Sequence, residues 1–207
     1  MTLTDVLSAL DAADQEPPKK RVSRLAALKK SIGTDDALAR ALWETGRRDA
    51  RVLATTVADP GHVDRSTLDA WAGAVDDAAL VESFSRLAGA VPGTEVLART
   101  WIDAQAEWTQ AAGWSTLGQF VGKGGVLTDA ECVVLLARID AGLRDATPGV
   151  RDAMNGALIA IGARGGSLQK KALVVAKRIS KILVGSDAVE QIHRLGDRAN
   201  VEKFWSR

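Results

Sequence analysis

Residues 37–60 read ALARALWETGRRDARVLATTVADP, two apolar runs of helical spacing joined by a glycine and a cluster of charged residues. The acids of residues 34–36 (TDD) are typical of the first turn of a helix, and the Asp-Pro pair at residues 59–60 is typical of a helix end. The stretch therefore predicts two helices joined by a short turn, the second from Arg48 to Val57. Three arginines and one carboxylate lie at this turn, where they either solvate the surface or face a polyanion.

Helical patterns of this kind recur along the whole chain. We expect about ten to twelve helices of roughly 10–18 residues with short turns between them. Thr128 and Glu131 have the spacing of a capping box, and Pro148 is suited to a first helical turn. Ser66 is expected to cap the helix STLDAWAGAV. Residues 168–183 are the clearest helix, with apolar side chains at a period of about 3.6 residues. Tyrosine is absent, and strand signals are weak.

Helix pairs recur roughly every 40 residues, a spacing typical of stacked HEAT-like units. We therefore predict an all-α fold, a HEAT-like helical-repeat solenoid (an α-α superhelix) with a concave face; a compact helical bundle is the alternative. The 207 residues are expected to form a single helical-repeat domain. Its expected parts are an N-terminal acidic segment and basic linker (1–21), a core (22–183) and C-terminal helices (184–207).

The composition argues against several classes of protein. No apolar run approaches the roughly 20 residues that span a bilayer, and the acidic N-terminus lacks the basic region of a signal peptide. The single Cys132 cannot form an internal disulfide, which indicates a cytoplasmic location. With one cysteine and two distant histidines, His62 and His193, we expect no metal cluster. The sequence contains no phosphate-loop, GxSxG or GxGxxG motif, so we expect no cofactor and none of these common catalytic sites.

Basic residues are concentrated in two blocks that contain no acid, although the net charge of the chain is only +1. Residues 17–34 hold six lysines and arginines, and residues 153–186 hold six more. The residues of the second block expected to share one polar helix face are Lys170, Lys177, Arg178 and Lys181. Such a face is usually only solvated, but an acid-free block also fits an electrostatic footprint for nucleic-acid phosphates. A membrane surface is a weaker candidate, because the apolar face of this helix has no bulky aromatic residue.

Four segments of the chain form a characteristic series. The first is DARVLA with the following Asp-Pro, within residues 49–60, and the second is Trp71 after STLDA. The third is EWTQAAGW at residues 107–114, and the fourth is VRDAMNGALIAIG at residues 150–162. In this order and spacing the segments resemble the AlkD-like DNA alkylation repair family, part of the HEAT-like repeat DNA glycosylase superfamily. The resemblance covers about residues 22–183.

The resemblance implies a DNA ligand, mainly the phosphate backbone of double-stranded DNA, on a basic concave surface. It also implies hydrolysis of the N-glycosidic bond of alkylated purines that carry a positive charge. In that family aromatic side chains pack against the deoxyribose, and a carboxylate stabilises the positive charge that develops on the sugar. The implied location is the cytoplasm of a bacterium, on the nucleoid when DNA is bound. A non-catalytic DNA-binding relative and a protein-binding helical scaffold are the alternatives.

The residues that the resemblance expects at the catalytic site are only partly present. Glu82 stands at the place of the carboxylate and is the candidate catalytic residue, although a glutamate on a helix is more often an ordinary surface carboxylate. Ala78 and Gly156 stand where sugar-packing tryptophans are expected, and Gln110 stands where an arginine is expected. An enzyme with these replacements is expected to be slow.

The arginines of residues 47–51 have two expected roles. Arg47 and Arg48 lie at a helix N-terminus, where backbone N–H groups also favour a phosphate, and they are candidate DNA contacts. Asp49 and Arg51 are expected to lock the turn between two repeats. Cys132 is expected to be a small buried residue. Most tryptophans are expected to pack between repeats rather than contact a ligand: Trp71, Trp101, Trp108 and Trp114.

Overall fold

The computed structural model describes residues 1–122, 126–180 and 187–195. Within these ranges the chain forms twelve α-helices and no strand, which confirms the all-α prediction. The helices are α1 (Leu3–Asp14), α2 (Pro18–Ile32), α3 (Asp36–Glu44), α4 (Arg48–Val57), α5 (Arg65–Gly73), α6 (Ala78–Ala90), α7 (Glu95–Trp101), α8 (Glu107–Gly122), α9 (Asp129–Gly142), α10 (Pro148–Ala163), α11 (Gly166–Ser180) and α12 (Ala188–Leu195). None of these helices is long and apolar enough to cross a membrane.

The helices are arranged in two rows. The even-numbered helices pack in sequence, from α2 against α4 to α10 against α12, and we call them the even row. Each odd-numbered helix packs against a member of this row, for example α3 on α4, α7 on α8 and α11 on α10, and we call these the odd row. Stacked helix pairs of this kind are the architecture of a HEAT-like helical-repeat solenoid.

Helix beginnings follow capping residues in the sequence. The predicted capping box of α9 is present, because the Thr128 hydroxyl accepts a hydrogen bond from Glu131 N–H and the Glu131 carboxylate accepts one from Thr128 N–H. The prediction for α5 is wrong, because Asp64 rather than Ser66 is the cap. The Asp64 carboxylate accepts hydrogen bonds from the Ser66 hydroxyl at 2.6 Å and from Thr67 N–H at 2.7 Å. These hydrogen bonds, the Ser66 hydroxyl first, lower the pKa of Asp64 to about 2.

Tryptophans pack between the repeats. Trp43 on α3 and Trp71 on α5 are buried and stack with their ring centroids 4.2 Å apart. Stacked aromatic pairs typically contribute about 0.5–1.5 kcal/mol beyond their buried area. Trp101 and Trp114 are also buried, as predicted. Cys132 is fully buried on α9, and burial raises the pKa of its thiol.

The arginine-rich turn is mainly structural. Arg47 forms ion pairs with Asp49 and, in α1, with Asp11, both at 2.7 Å. Arg51 donates to the carbonyl oxygen of Ala74 at 3.1 Å and so ties α4 to the end of α5. Asp49 and Arg51 therefore connect neighbouring helices as expected, but Asp49 does so through Arg47.

Two of the expected boundaries fall differently on the structure. The boundary at residue 21 lies inside α2, so basic residues 19–21 are helical. The helix predicted for residues 168–183 begins at Gly166 and is described to Ser180. Its expected end, with Lys181, lies outside the described residues, as does most of the C-terminal part.

Candidate nucleic-acid interface

A groove of about 410 Å³ lies on the surface of the even row, between α6, α8 and α10. Small residues form much of its lining, because all three helices present alanine or glycine here. These residues are Ala78, Gly118, Gly149, Ala153, Gly156, Ala157 and Ala160. The groove is therefore open and largely apolar, within the size range of sites that bind small molecules or single rings.

Two exposed carboxylates line the groove from its two sides, Glu82 on α6 and Asp152 on α10. Glu82 forms an ion pair with Arg86, one helical turn further along α6. The two side chains are 68% and 67% exposed, so water screens the pair and it contributes little to stability. Asp152 forms no ion pair within the described residues. The lining of the groove therefore carries negative charge, which repels phosphate and attracts a cationic ring.

The floor of the groove is α8, with Trp108, Ser115 and Gln119 on one helix face. Trp108 is half-buried, because its ring packs on the first turn of α10, where a Cβ at Gly149 would lie 2.6 Å from the ring. Glu107 accepts a hydrogen bond from Gly149 N–H at 2.8 Å and holds the two helices in this register. Trp108 thus differs from the other predicted packing tryptophans, because part of its ring faces the groove.

Ala78 and Gly156 line the groove at the places where the resemblance expects tryptophans. A Cβ at Gly156 would meet no atom within 4 Å, so the space in front of this residue is open. Among the described lining residues, Trp108 is the only aromatic one. Gln110 does not line the groove, because its amide donates to the carbonyl oxygen of Ile102 at 3.0 Å. The groove therefore lacks the aromatic walls implied by the resemblance.

Comparison with known proteins identifies the family. The sequence profile described as "DNA alkylation repair enzyme" matches residues 17–192. The chain belongs to this DNA alkylation repair family. No curated protein matches it. A solved structure, described as "a new family of proteins related to the HEAT-like repeat DNA glycosylases with affinity for branched DNA structures", matches with a TM-score of 0.83 and 21% identity. The match covers 97% of this chain and 96% of that chain, and it shows a shared fold.

In this DNA alkylation repair family protein, Arg47 and Arg48, the two arginines predicted to contact DNA, both form ion pairs. Hydrogen bonds to Asp49 and Asp11 raise the pKa of the Arg47 guanidinium, which is therefore committed to the turn. Arg48 pairs with Asp77, the N-cap of α6, and so ties α4 to one side of the groove. The Arg48 side chain is 62% exposed and remains accessible to a phosphate.

The predicted basic face of α11 is not part of the groove in this family member. Lys170 and Lys177 are exposed opposite the buried side of α11, and α11 belongs to the odd row. Arg178 pairs with Asp140 of the neighbouring odd helix α9 at 2.7 Å. Lys181 lies outside the described residues. The structure therefore does not bring these residues together with Glu82.

The first basic block of the family member forms α2, the first helix of the even row. Its exposed cations that form no ion pair within the described residues are Lys19, Lys20, Lys29 and Lys30. Arg21 and Arg24, by contrast, pair with acids near the end of α1. Two of the lysines lie in the first turn of α2, where the helix macrodipole disfavours each cation by roughly 0.3–1 kcal/mol. Helix stability therefore does not account for Lys19 and Lys20.

Sequence reasoning missed four polar residues of the groove, Ser85, Ser115, Gln119 and Asp152. Spacing was the available signal for three of them, because Ser115 and Gln119 recur on the Trp108 face of α8 and Asp152 lies one turn before Gly156. Within the described part of the chain, no three His, Cys, Asp or Glu side chains are grouped in a way that could hold a metal ion.

Proposed function

We propose that the protein binds DNA along the even row and that its groove receives a base or sugar from a distorted or branched DNA. The groove between α6, α8 and α10 carries this proposal. Its apolar lining suits an unstacked base or a deoxyribose, while Glu82 and Asp152 disfavour phosphates at the same place.

We assign the phosphate backbone of double-stranded DNA to the exposed lysines of α2 and to Arg48, which lie in the same row as the groove. Contacts of this type are independent of sequence and sensitive to salt. The affinity for branched DNA structures described for the structural relative supports the same class of ligand.

A groove-filling variant tests the proposal. Gly156→Leu fills the open space with a branched aliphatic side chain that cannot stack on a base or sugar as an aromatic wall would, so a preference for a four-way junction over a linear duplex of equal length is expected to disappear, while duplex binding persists. Ala137→Leu adds the same side chain on the exposed side of α9 and serves as the control. Fluorescence anisotropy measures the binding of the junction and of the duplex to each variant.

The outcomes discriminate between the alternatives. A junction preference that survives in folded Gly156→Leu contradicts the role of the groove. Absence of any DNA binding by the wild-type protein at about 50 mM salt, where phosphate contacts are strong, would leave the protein-binding scaffold as the better explanation.

Base excision is the second candidate function, and the exposed Glu82 above the Trp108 floor favours it. A purine that carries a positive charge is already a good leaving group. An oxocarbenium-like transition state then needs mainly a nearby anion and exclusion of bulk water. The open walls at Ala78 and Gly156 exclude water poorly, so this excision is expected to be slow.

Release of free 7-methylguanine from a duplex tests this chemistry. Glu82→Gln keeps the shape of the side chain and removes its charge, so it is expected to lower the rate roughly 10²–10³-fold and to leave DNA binding intact. Asp152→Asn is the matched control on the other side of the groove. Equal release by wild type and Glu82→Gln would remove Glu82 from the mechanism. Release by wild type no faster than spontaneous depurination would favour the non-catalytic DNA-binding protein.

A further inference from the structure

Three lysines of the odd helix α11 have no role in the groove. Lys170, Lys171 and Lys177 are exposed and form no ion pair within the described residues, and the helix contains no acid. Lys170 and Lys177 lie two helical turns apart, about 10.5 Å along the axis at about 1.5 Å per residue. This distance is close to the axial rise of three base pairs, since each strand of a duplex carries one phosphate per about 3.4 Å of helix axis.

The acids of the neighbouring helix α9 are already paired, and the nearby Asp145 is offset by the adjacent Arg144. The helix α9 packs against α11 and carries three acids, each of which has an arginine partner. The pairs are Asp129 with Arg164, Glu131 with Arg99, and Asp140 with Arg178. The helix α12 also packs against α11, and its one acid, Glu190, is balanced by one arginine, Arg194. The lysines of α11 therefore keep a local excess of positive charge.

The lysines also face away from the groove. On α10, Gly156 lines the groove, whereas Leu158 and Ile161 lie towards the opposite side of the helix and are buried. The helices α9 and α11 pack against α10 as its odd-row neighbours. Because α11 packs through its own buried stripe, Lys170 and Lys177 on its far side point away from α10 and from the groove.

We propose that this face of α11 is a second surface for the DNA backbone, so that one protein molecule holds two duplex segments at once. The proposal rests on the proposed function of the even row, which supplies the first DNA contact. A straight duplex on the even row leaves Lys170 and Lys177 free for another segment, or for another arm of a branched DNA. Because these contacts reach phosphates only, the second segment is bound without regard to sequence.

A capture experiment with the full chain tests the second surface. A biotinylated duplex on beads is loaded with protein, washed, and offered a fluorescent second duplex at about 50 mM salt, where phosphate contacts are strong. Wild type is expected to retain the second duplex. Lys170→Glu with Lys177→Glu is expected to lower this capture at least tenfold, because each change removes a phosphate contact and adds a repulsion, while loading on the first duplex is unchanged. Lys29→Glu with Lys30→Glu, the matched variant on α2, is expected to lower the loading itself.

Each result decides between the two surfaces. If wild type does not load on the first duplex, the proposed function and the second surface both fail. If it loads but captures nothing, the second surface alone is wrong. If the α11 variant loses loading as much as capture, its lysines belong to the first contact and the proposal is overturned. Sedimentation with excess duplex must show one protein with two duplexes, since capture through a pair of protein molecules would also overturn it.

Discussion

Neutralising Lys29 and Lys30 is the most direct test of the proposed DNA-binding surface on the even row. Both lysines are exposed in the last turn of α2, and neither forms an ion pair within the described residues. Lys29→Gln with Lys30→Gln removes two charges from the even row and leaves Leu28, the buried contact of this helix, untouched.

The size of the effect follows from counterion release. If all four exposed lysines of α2 and Arg48 contact phosphates, the logarithm of the binding constant falls with the logarithm of salt at a slope of about −4.5, since each contact contributes about −0.9. The double variant is expected to show a slope of about −2.7. At about 0.1 M salt, each contact contributes a factor of about 8 relative to 1 M, so the variant is expected to bind roughly 60-fold more weakly.

Anisotropy titrations of a linear duplex over a series of salt concentrations measure the slope. Lys170→Gln with Lys177→Gln removes the same charge from the odd row and is expected to leave the slope unchanged. Thermal melts accompany both variants, because lysines in a last helical turn contribute about 0.3–1 kcal/mol each through the macrodipole at low salt.

The reasoning is refuted if the α2 variant is folded and keeps the wild-type slope. It is also refuted if the two double variants lose affinity equally. Equal loss would mean that the bound DNA responds to total charge and not to the row that carries it.

Three further predictions concern stability and reactivity. Gly113→Ala is expected to destabilise the fold by about 1–3 kcal/mol in denaturant titrations, because its Cβ would lie 2.6 Å from a backbone nitrogen of the neighbouring chain segment. Gly156→Ala, whose Cβ would meet open space, is expected to raise the free energy of unfolding by roughly 0.5–1 kcal/mol. Burial raises the pKa of Asp49, but hydrogen bonds from Arg47 and the backbone outweigh burial, and the pKa is lowered. The stability from Asp49 is therefore complete above about pH 3.9, the unfolded value, and is lost as the pH falls through the lower folded value; acid titration of wild type against Asp49→Asn by circular dichroism measures this. Cys132, buried and with its pKa raised, is expected to react with a thiol reagent only as fast as the protein opens, which labelling with and without urea measures.

The sequence by itself determined the helices and the family. Capping residues and apolar spacing act within one helical turn or a few, so a box such as Thr128 with Glu131 forms the same contact whatever lies around it. A local pattern can nevertheless offer two capping residues close together, and in α5 the N-cap is Asp64 rather than the predicted Ser66. The order of the conspicuous segments was enough to indicate the family, because it follows the order of the repeats.

Only the tertiary structure decided which side chains meet. Arg48 pairs with Asp77, 29 residues away, and Arg178 pairs with Asp140, 38 residues away, because helices of successive repeats stack beside each other. Stacking also separates two basic blocks that look alike in sequence, since α2 belongs to the even row and α11 to the odd row. The groove arises in the same way, from small residues on three helices and Asp152 opposite Glu82. Local spacing shows which residues share one helix face, but it does not show which faces meet, because that depends on how each repeat is rotated against the next.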